Sequence, residues 1–207
     1  MNQDPEIRRL LDVMPASGRM LTKVVSKPQQ TTVVETPFPL PWSRERPIYI
    51  NFDLWRRLPR AQRDLLILRA VSWLVGIRWF KPDLYQGVVL VGMLGSIVEL
   101  AQGDAVGVVV AMGLSSIAGS QIWRATRSSE SELNADAAAI KCALRRGYTE
   151  TEAAEYLLSS IEAVAQLEGR YELNFTELIR SQNLRAIAGI SPVGVPEKVR
   201  QKSKSQF

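Results

Sequence analysis

A mainly α-helical, α+β fold is predicted for this 207-residue chain, and three observations predict it. Apolar residues recur at helical spacing over long segments in both halves. The strand-like, β-branched runs are short and lie before Phe52. Two uncharged runs in the middle have the form of a two-helix hairpin. Hydrophobic content of 46% with 23% charged residues fits a folded chain and excludes general disorder. Five segments follow: a mixed basic start (1–29), a small sheet with the first core helix (30–83), the hairpin (84–123), a helical part (124–190) and a basic tail expected to be disordered (191–207).

Each element has a local reason. Asp4–Val13 predicts a short helix, after which the chain reads as irregular up to residue 29. Thr31–Glu35 (TTVVE) predicts a strand. Pro37, Pro39 and Pro41 then force an extended linker. Pro47–Asn51 (PIYIN) predicts a second strand able to pair with the first, in either sense. Asn51 is placed to cap a short helix over Phe52–Arg57. Pro59 sits at the first turn of the next, about Arg60–Trp79, whose Leu65, Leu66, Leu68, Val71, Leu74 and Val75 recur at helical spacing.

Leu84–Val98 and Ala105–Trp123 carry no charge and are separated by the polar turn Glu99–Asp104. At about 1.5 Å per residue, the second run spans roughly the 30 Å core of a bilayer. Arg78 and Lys81 precede the hairpin and Arg124 and Arg127 follow it, which by the positive-inside rule puts both ends, and both termini, in the cytoplasm. Gly107, Ala111, Ser115 and Gly119 form a ridge of small residues suited to close approach by another helix. The expectation is an integral membrane protein in contact with lipid and with another membrane protein or complex. The rival reading is a helical hairpin buried in a soluble core.

After Arg127 the capping signals are explicit. Ser129-x-x-Glu132 opens a helix to about Arg146, which Gly147 ends. Thr149-x-x-Glu152 opens another to about Glu168, with Ala154, Leu157, Leu158, Ile161, Val164 and Ala165 along one face. Asn174 is placed to cap a last helix, Phe175–Gln182. Cys142, the single cysteine, lies among apolar residues and reads as a buried, inert thiol.

The ordered set, a β segment, a helix, an apolar hairpin, a helix bearing Glu132-x-x-Ala135-Asp136 and the Arg146-Gly147-Tyr148 break, resembles the membrane-bound zinc endopeptidases of the heat-shock membrane protease and CAAX prenyl protease type. The resemblance covers about residues 30–168. It implies a metallopeptidase-like helical core, in which an HExxH helix and an ExxAD glutamate hold zinc. In this register HExxH falls on Arg69-Ala70-Val71-Ser72-Trp73, and the chain contains no histidine. Arginine, alanine and tryptophan stand where two zinc ligands and a general base belong. Glu132 alone does not hold a catalytic zinc, which takes about three protein ligands and water. Arg69, Ala70, Trp73, Glu132 and Asp136 are then vestigial positions, with an Arg69 ion pair to Glu132 or Asp136 in place of the metal. The chain also resembles a membrane-protein family of cyanobacteria, a likeness that implies no activity.

No glycine-rich phosphate loop or paired-cysteine metal motif is present, and without histidine no serine has its usual activating base. The net charge of +5 permits contact with anionic partners, but nucleic acid is not favoured. The densest internal basic group, Arg56, Arg57, Arg60 and Arg63, reads as solvated helix ends. The expected function is a non-catalytic scaffold, assembly or regulatory protein without cofactor, using the Arg60–Arg69 face or the tail as a protein-binding surface. Two alternatives stay open: an enzyme using Glu132 and Asp136 as a carboxylate pair on one helix face, and a soluble module binding RNA or a protein partner.

Overall fold

The chain begins with two helices, α1 (Asp4–Val13) and α2 (Ala16–Leu21), that run directly into strand β1 (Thr22–Ser26). The computed structural model describes residues 4–40, 43, 45–77 and 129–191, with 91, 94 and 113. The chain divides into two units, Met1–Ile77 with Ser129–Lys202, and Arg78–Ser128 with Ser203–Phe207. The first unit continues with β2 (Val34–Glu35), β3 (Arg46–Ile50), α3 (Phe52–Trp55), α4 (Arg60–Gly76), α5 (Ser129–Leu144), α6 (Glu150–Leu167) and α7 (Phe175–Ile187). The fold is mainly α with a small sheet.

That sheet is three-stranded, in the order β1-β3-β2. β3 pairs parallel with β1, Val24 opposite Ile48, and antiparallel with β2, Val34 opposite Ile50. Three expectations are corrected. The segment expected to be irregular holds α2 and β1. Only Val34–Glu35 of Thr31–Glu35 is strand. The second strand begins at Arg46 and ends at Ile50, because Asn51 is drawn out of the ladder as a cap. The Asn51 side chain accepts from the Asp53 amide at 3.0 Å and donates to the Gln30 carbonyl at 2.8 Å. One buried amide thus starts α3 and pins the loop before β2.

α4 is the central helix because apolar residues occupy two of its sides. Ile67, Ala70, Val71 and Leu74 enter a core with Leu10, Met14, Ile48, Ile50, Phe52 and Trp55. Leu65 and Leu68 enter a second core with Ala139, Ile140, Ala143, Leu157 and Leu184. Leu66 and Val75, expected in the core, are half-buried. Gly18 lets α2 lie against α4, since a Cβ there would overlap Val71. α4 stops at Gly76 rather than Trp79, and the Arg46 guanidinium donates to the Leu74 and Ile77 carbonyls at this helix end.

The C-terminal helices follow their caps. Thr149 with Glu152 forms the expected capping box, and Asn174 with Glu177 forms a second. α7 runs past the expected Gln182 to Ile187, because Leu184 is wholly buried beneath it. Gly189, at φ 72°, ends it in the left-handed conformation that glycine adopts without strain. α5 ends at Leu144. Cys142 is half-buried against the second core rather than enclosed.

The expectation of an integral membrane protein with both termini in the cytoplasm is corrected. Among the described residues, no helix is long and apolar enough to cross a membrane. α6, of 18 residues, carries Glu150, Glu152, Glu155 and Glu162, and α4 carries Arg60, Arg63, Asp64 and Arg69. The expected hairpin runs lie outside the described residues except at 91, 94 and 113. Also outside them are the ridge Gly107, Ala111, Ser115 and Gly119, the flanking Arg78, Lys81, Arg124 and Arg127, and residues 192–207.

Candidate functional site

Three helices bring four charges together. α4 presents Arg69, and α5 presents Glu132 and Asp136, which share a face four residues apart. α7 presents Arg180. The Asp136 carboxylate is fully buried, at 0% exposure. It accepts two hydrogen bonds from Arg180, Nε to Oδ2 at 2.8 Å and Nη2 to Oδ1 at 2.9 Å. Arg69 donates its Nε to the same Oδ1 at 3.2 Å and its Nη2 to Glu132 Oε2. Two guanidinium and two carboxylate charges therefore cancel within one cluster.

Burial makes that balance necessary. An unpaired charge in a low-dielectric interior is far costlier than one in water, and breaking a buried pair leaves such a charge. Burial, with Arg180 close by, pushes the Arg69 guanidinium below its ordinary pKa, and Asp136 and Glu132 oppose the push. Against the same effect of burial, Asp136 holds the Arg180 guanidinium above its ordinary value. Both remain cations, because a guanidinium does not deprotonate in a protein.

The expected Arg69 pairing is therefore present with both carboxylates. The other two positions of that helix stretch are structural. Ala70 belongs to the first core, and Trp73 is half-buried and meets Phe38 edge-on, with ring centroids 6.2 Å apart. The Trp73 Nε1 is buried without a hydrogen-bond partner among the described residues. Ser129 is the first residue of α5 rather than its cap, and the Glu132 carboxylate is engaged by Arg69. Arg180 was not singled out from the sequence. Its only signal there is a basic residue in the helix that Asn174 caps; its burial with Ser181 and Leu184 appears in the structure alone.

Beside this quartet lies a cavity of about 230 Å³, lined in part by Arg69, Arg170, Arg180, Glu168 and Glu177. Here too the charges are matched. Arg170 forms a two-pronged pair with Glu177, at 2.8 Å on each prong, and donates to Glu168 at 3.0 Å. Glu168 also accepts from the Val33 amide at 2.9 Å, tying α6 to the loop before β2. Among the described residues, no group of three or more His, Cys, Asp or Glu side chains is placed to hold a metal ion.

A second cluster, also absent from the sequence reading, gathers at the start of α4. Asp64, 5% exposed, accepts from Arg9 of α1 and from the Tyr148 hydroxyl at 3.0 Å. Glu6 accepts from Arg9, from Arg63 at 2.6 Å and from the Trp55 indole at 3.2 Å. Burial, and then the Asp64 charge, push the Tyr148 phenol up to about 12. Tyr148 is thus a protonated donor over the ordinary pH range.

A family model described as "Protein of unknown function (DUF3318)" matches residues 8–148. The chain belongs to the DUF3318 family. No curated protein and no solved structure matches the chain. The family match contains Arg9, Asp64, Arg69, Glu132, Asp136 and Tyr148, whereas Arg180 lies beyond it.

Proposed function

We propose that this DUF3318 protein is a non-catalytic binding protein, a scaffold, assembly or regulatory factor for other proteins, built on a degenerate zinc-peptidase arrangement. The observation that carries the reading is the double pairing of Arg69. In the resemblance to zinc peptidases, position 69 takes a histidine ligand and Glu132 the third ligand. A cation at position 69 reaches Glu132 and Asp136 together, which supports reading the Arg69 side of α4 as the counterpart of a metal-bearing helix. Two guanidinium charges then compensate the carboxylates in place of a divalent ion. Acid–base chemistry needs a carboxylate free to exchange a proton with substrate. Here both carboxylates are held by arginine, which supports a structural role for them.

The test rebuilds the ligands. In the Arg69→His/Trp73→His variant, two histidines four residues apart stand on one side of α4, the spacing of a zinc-binding helix pair, with position 69 toward Glu132. The expected result is one tightly held Zn²⁺ per chain by metal analysis after dialysis, lost on adding Glu132→Gln. A folded variant that takes up no zinc would contradict the peptidase-like relation. Peptide hydrolysis by the unaltered chain, abolished by Glu132→Gln, would contradict the non-catalytic reading.

A further inference from the structure

Where α1, the start of α4 and the turn between α5 and α6 meet, the chain leaves an open cleft of about 450 Å³. Its lining is of two kinds. Arg9, Asp64 and Tyr148 have their charges and donors spent on one another and on Glu6. Arg60 and Arg146, both exposed, have no carboxylate partner among the described residues. Arg146 is nevertheless fixed in place. It donates Nε to the Val13 carbonyl and Nη2 to the Met14 carbonyl, each at 3.0 Å. Those bonds hold the guanidinium without neutralising it, and Nη1 has no hydrogen-bond partner among the described residues. Arg60 makes no hydrogen bond or ion pair among the described residues. An arginine held in place by carbonyls, beside a second arginine without an ion-pair partner among the described residues, offers its N–H groups to an anion.

We propose that this cleft binds a small phosphate monoester. Two guanidinium groups on one wall can both donate to a single phosphate, and with the Asp12 carboxylate beside them the charge left after internal pairing is one positive. Phosphate oxygens accept the paired N–H groups of guanidinium in the geometry arginine offers. The volume lies within the roughly 300–1,000 Å³ usual for small-molecule sites. Asp12, on the same lining, is an acceptor for a hydroxyl on the body of the ligand and disfavours a polyanion. α4 begins at this place behind Pro59, with no side-chain cap and no acidic residue in its first turn. Its first amides add to the positive potential.

The test is a titration of the ¹⁵N-labelled full chain with inorganic phosphate at constant ionic strength, using chloride as the replacement salt and following backbone amide shifts. The expected result is a saturable shift centred on Gly147, Tyr148 and the first turn of α4. Arg60→Gln, at a position without a hydrogen bond or ion pair among the described residues, should weaken binding about tenfold or more and leave the spectrum away from the cleft intact. Arg170→Gln, at the other cavity, should bind phosphate as the unaltered chain does. Shifts that never saturate, that chloride reproduces, or that Arg60→Gln leaves unchanged would each overturn the proposal.

Discussion

The two cavities flank one helix and teach opposite lessons. Near the start of α4, the larger one, about 450 Å³, has on its wall two arginines without an ion-pair partner among the described residues, against one such carboxylate, Asp12. Further along α4, the smaller one, about 230 Å³, has more charged groups, yet Arg69, Arg170 and Arg180 are all paired with carboxylates. The number of charged side chains therefore does not mark a site. What distinguishes the two is the remainder after internal pairing: zero around Asp136, and positive around Arg60 and Arg146. In the first place the charges serve the fold, and in the second they are available to something else.

That contrast is broken most easily at Asp136. Asp136→Asn strips the counter-charge from Arg180 and one of the two from Arg69, and should cost about 3–5 kcal/mol in urea unfolding. A loss under about 1 kcal/mol would mean the quartet is not the closed unit described. Arg69→Ala should cost less, about 1–3 kcal/mol, because Asp136 keeps Arg180 and Glu132 is partly exposed. Unchanged stability there would remove the basis for an arginine in the place of a metal.

The other end of α4 should give smaller effects. Tyr148→Phe deprives the buried Asp64 of one donor and should cost about 1 kcal/mol near neutral pH. It also carries a pH signature. The Tyr148 phenol is raised in the folded state, so its stabilisation is complete below the ordinary value of 10.0 and declines as pH rises toward about 12. Alkaline unfolding of Tyr148→Phe should lack that component. Glu6, held low by Arg9, and Glu177, held low against burial by Arg170 and the Asn174 amide, have the opposite sign. Their contribution is present above the usual 4.5 and is lost as pH falls below it. Smallest of all, Arg60→Gln should change unfolding by less than about 0.5 kcal/mol. A larger loss would show that Arg60 belongs to the fold and sharpen the contrast away from a ligand site.

What could be read from the sequence follows the range of the forces involved. α1, the Asn51 cap and the Thr149 capping box depend on residues within four positions of one another, and all three were legible. The Arg69 contact with the Glu132/Asp136 helix was legible only through the resemblance, which placed two distant segments side by side. β1 was not, because Thr22–Ser26 becomes a strand only when β3 pairs with it from across the sheet. The length of α7 was understated although Gly189 marked its end, since Ser181 and Asn183 look polar and are buried. Arg180 and the Asp64–Tyr148 pair have no local signature. Their partners stand 44 and 84 residues away, and only the packing of α7 against α5, and of α4 against α5 and α6, brings them together. The membrane reading took uncharged runs at face value, and no described helix has the length and apolar character to cross a membrane.

The central claim, that Arg69 rather than a metal ion holds Glu132 beside α4, is tested most directly by a double-mutant cycle. Unfolding free energies of the unaltered chain, Arg69→Met, Glu132→Gln and the double variant would be measured with and without a chelator. A coupling of about 1.5 kcal/mol or more, the same with chelator present, is the predicted result. A coupling near zero, or one that vanishes on chelation, would contradict it.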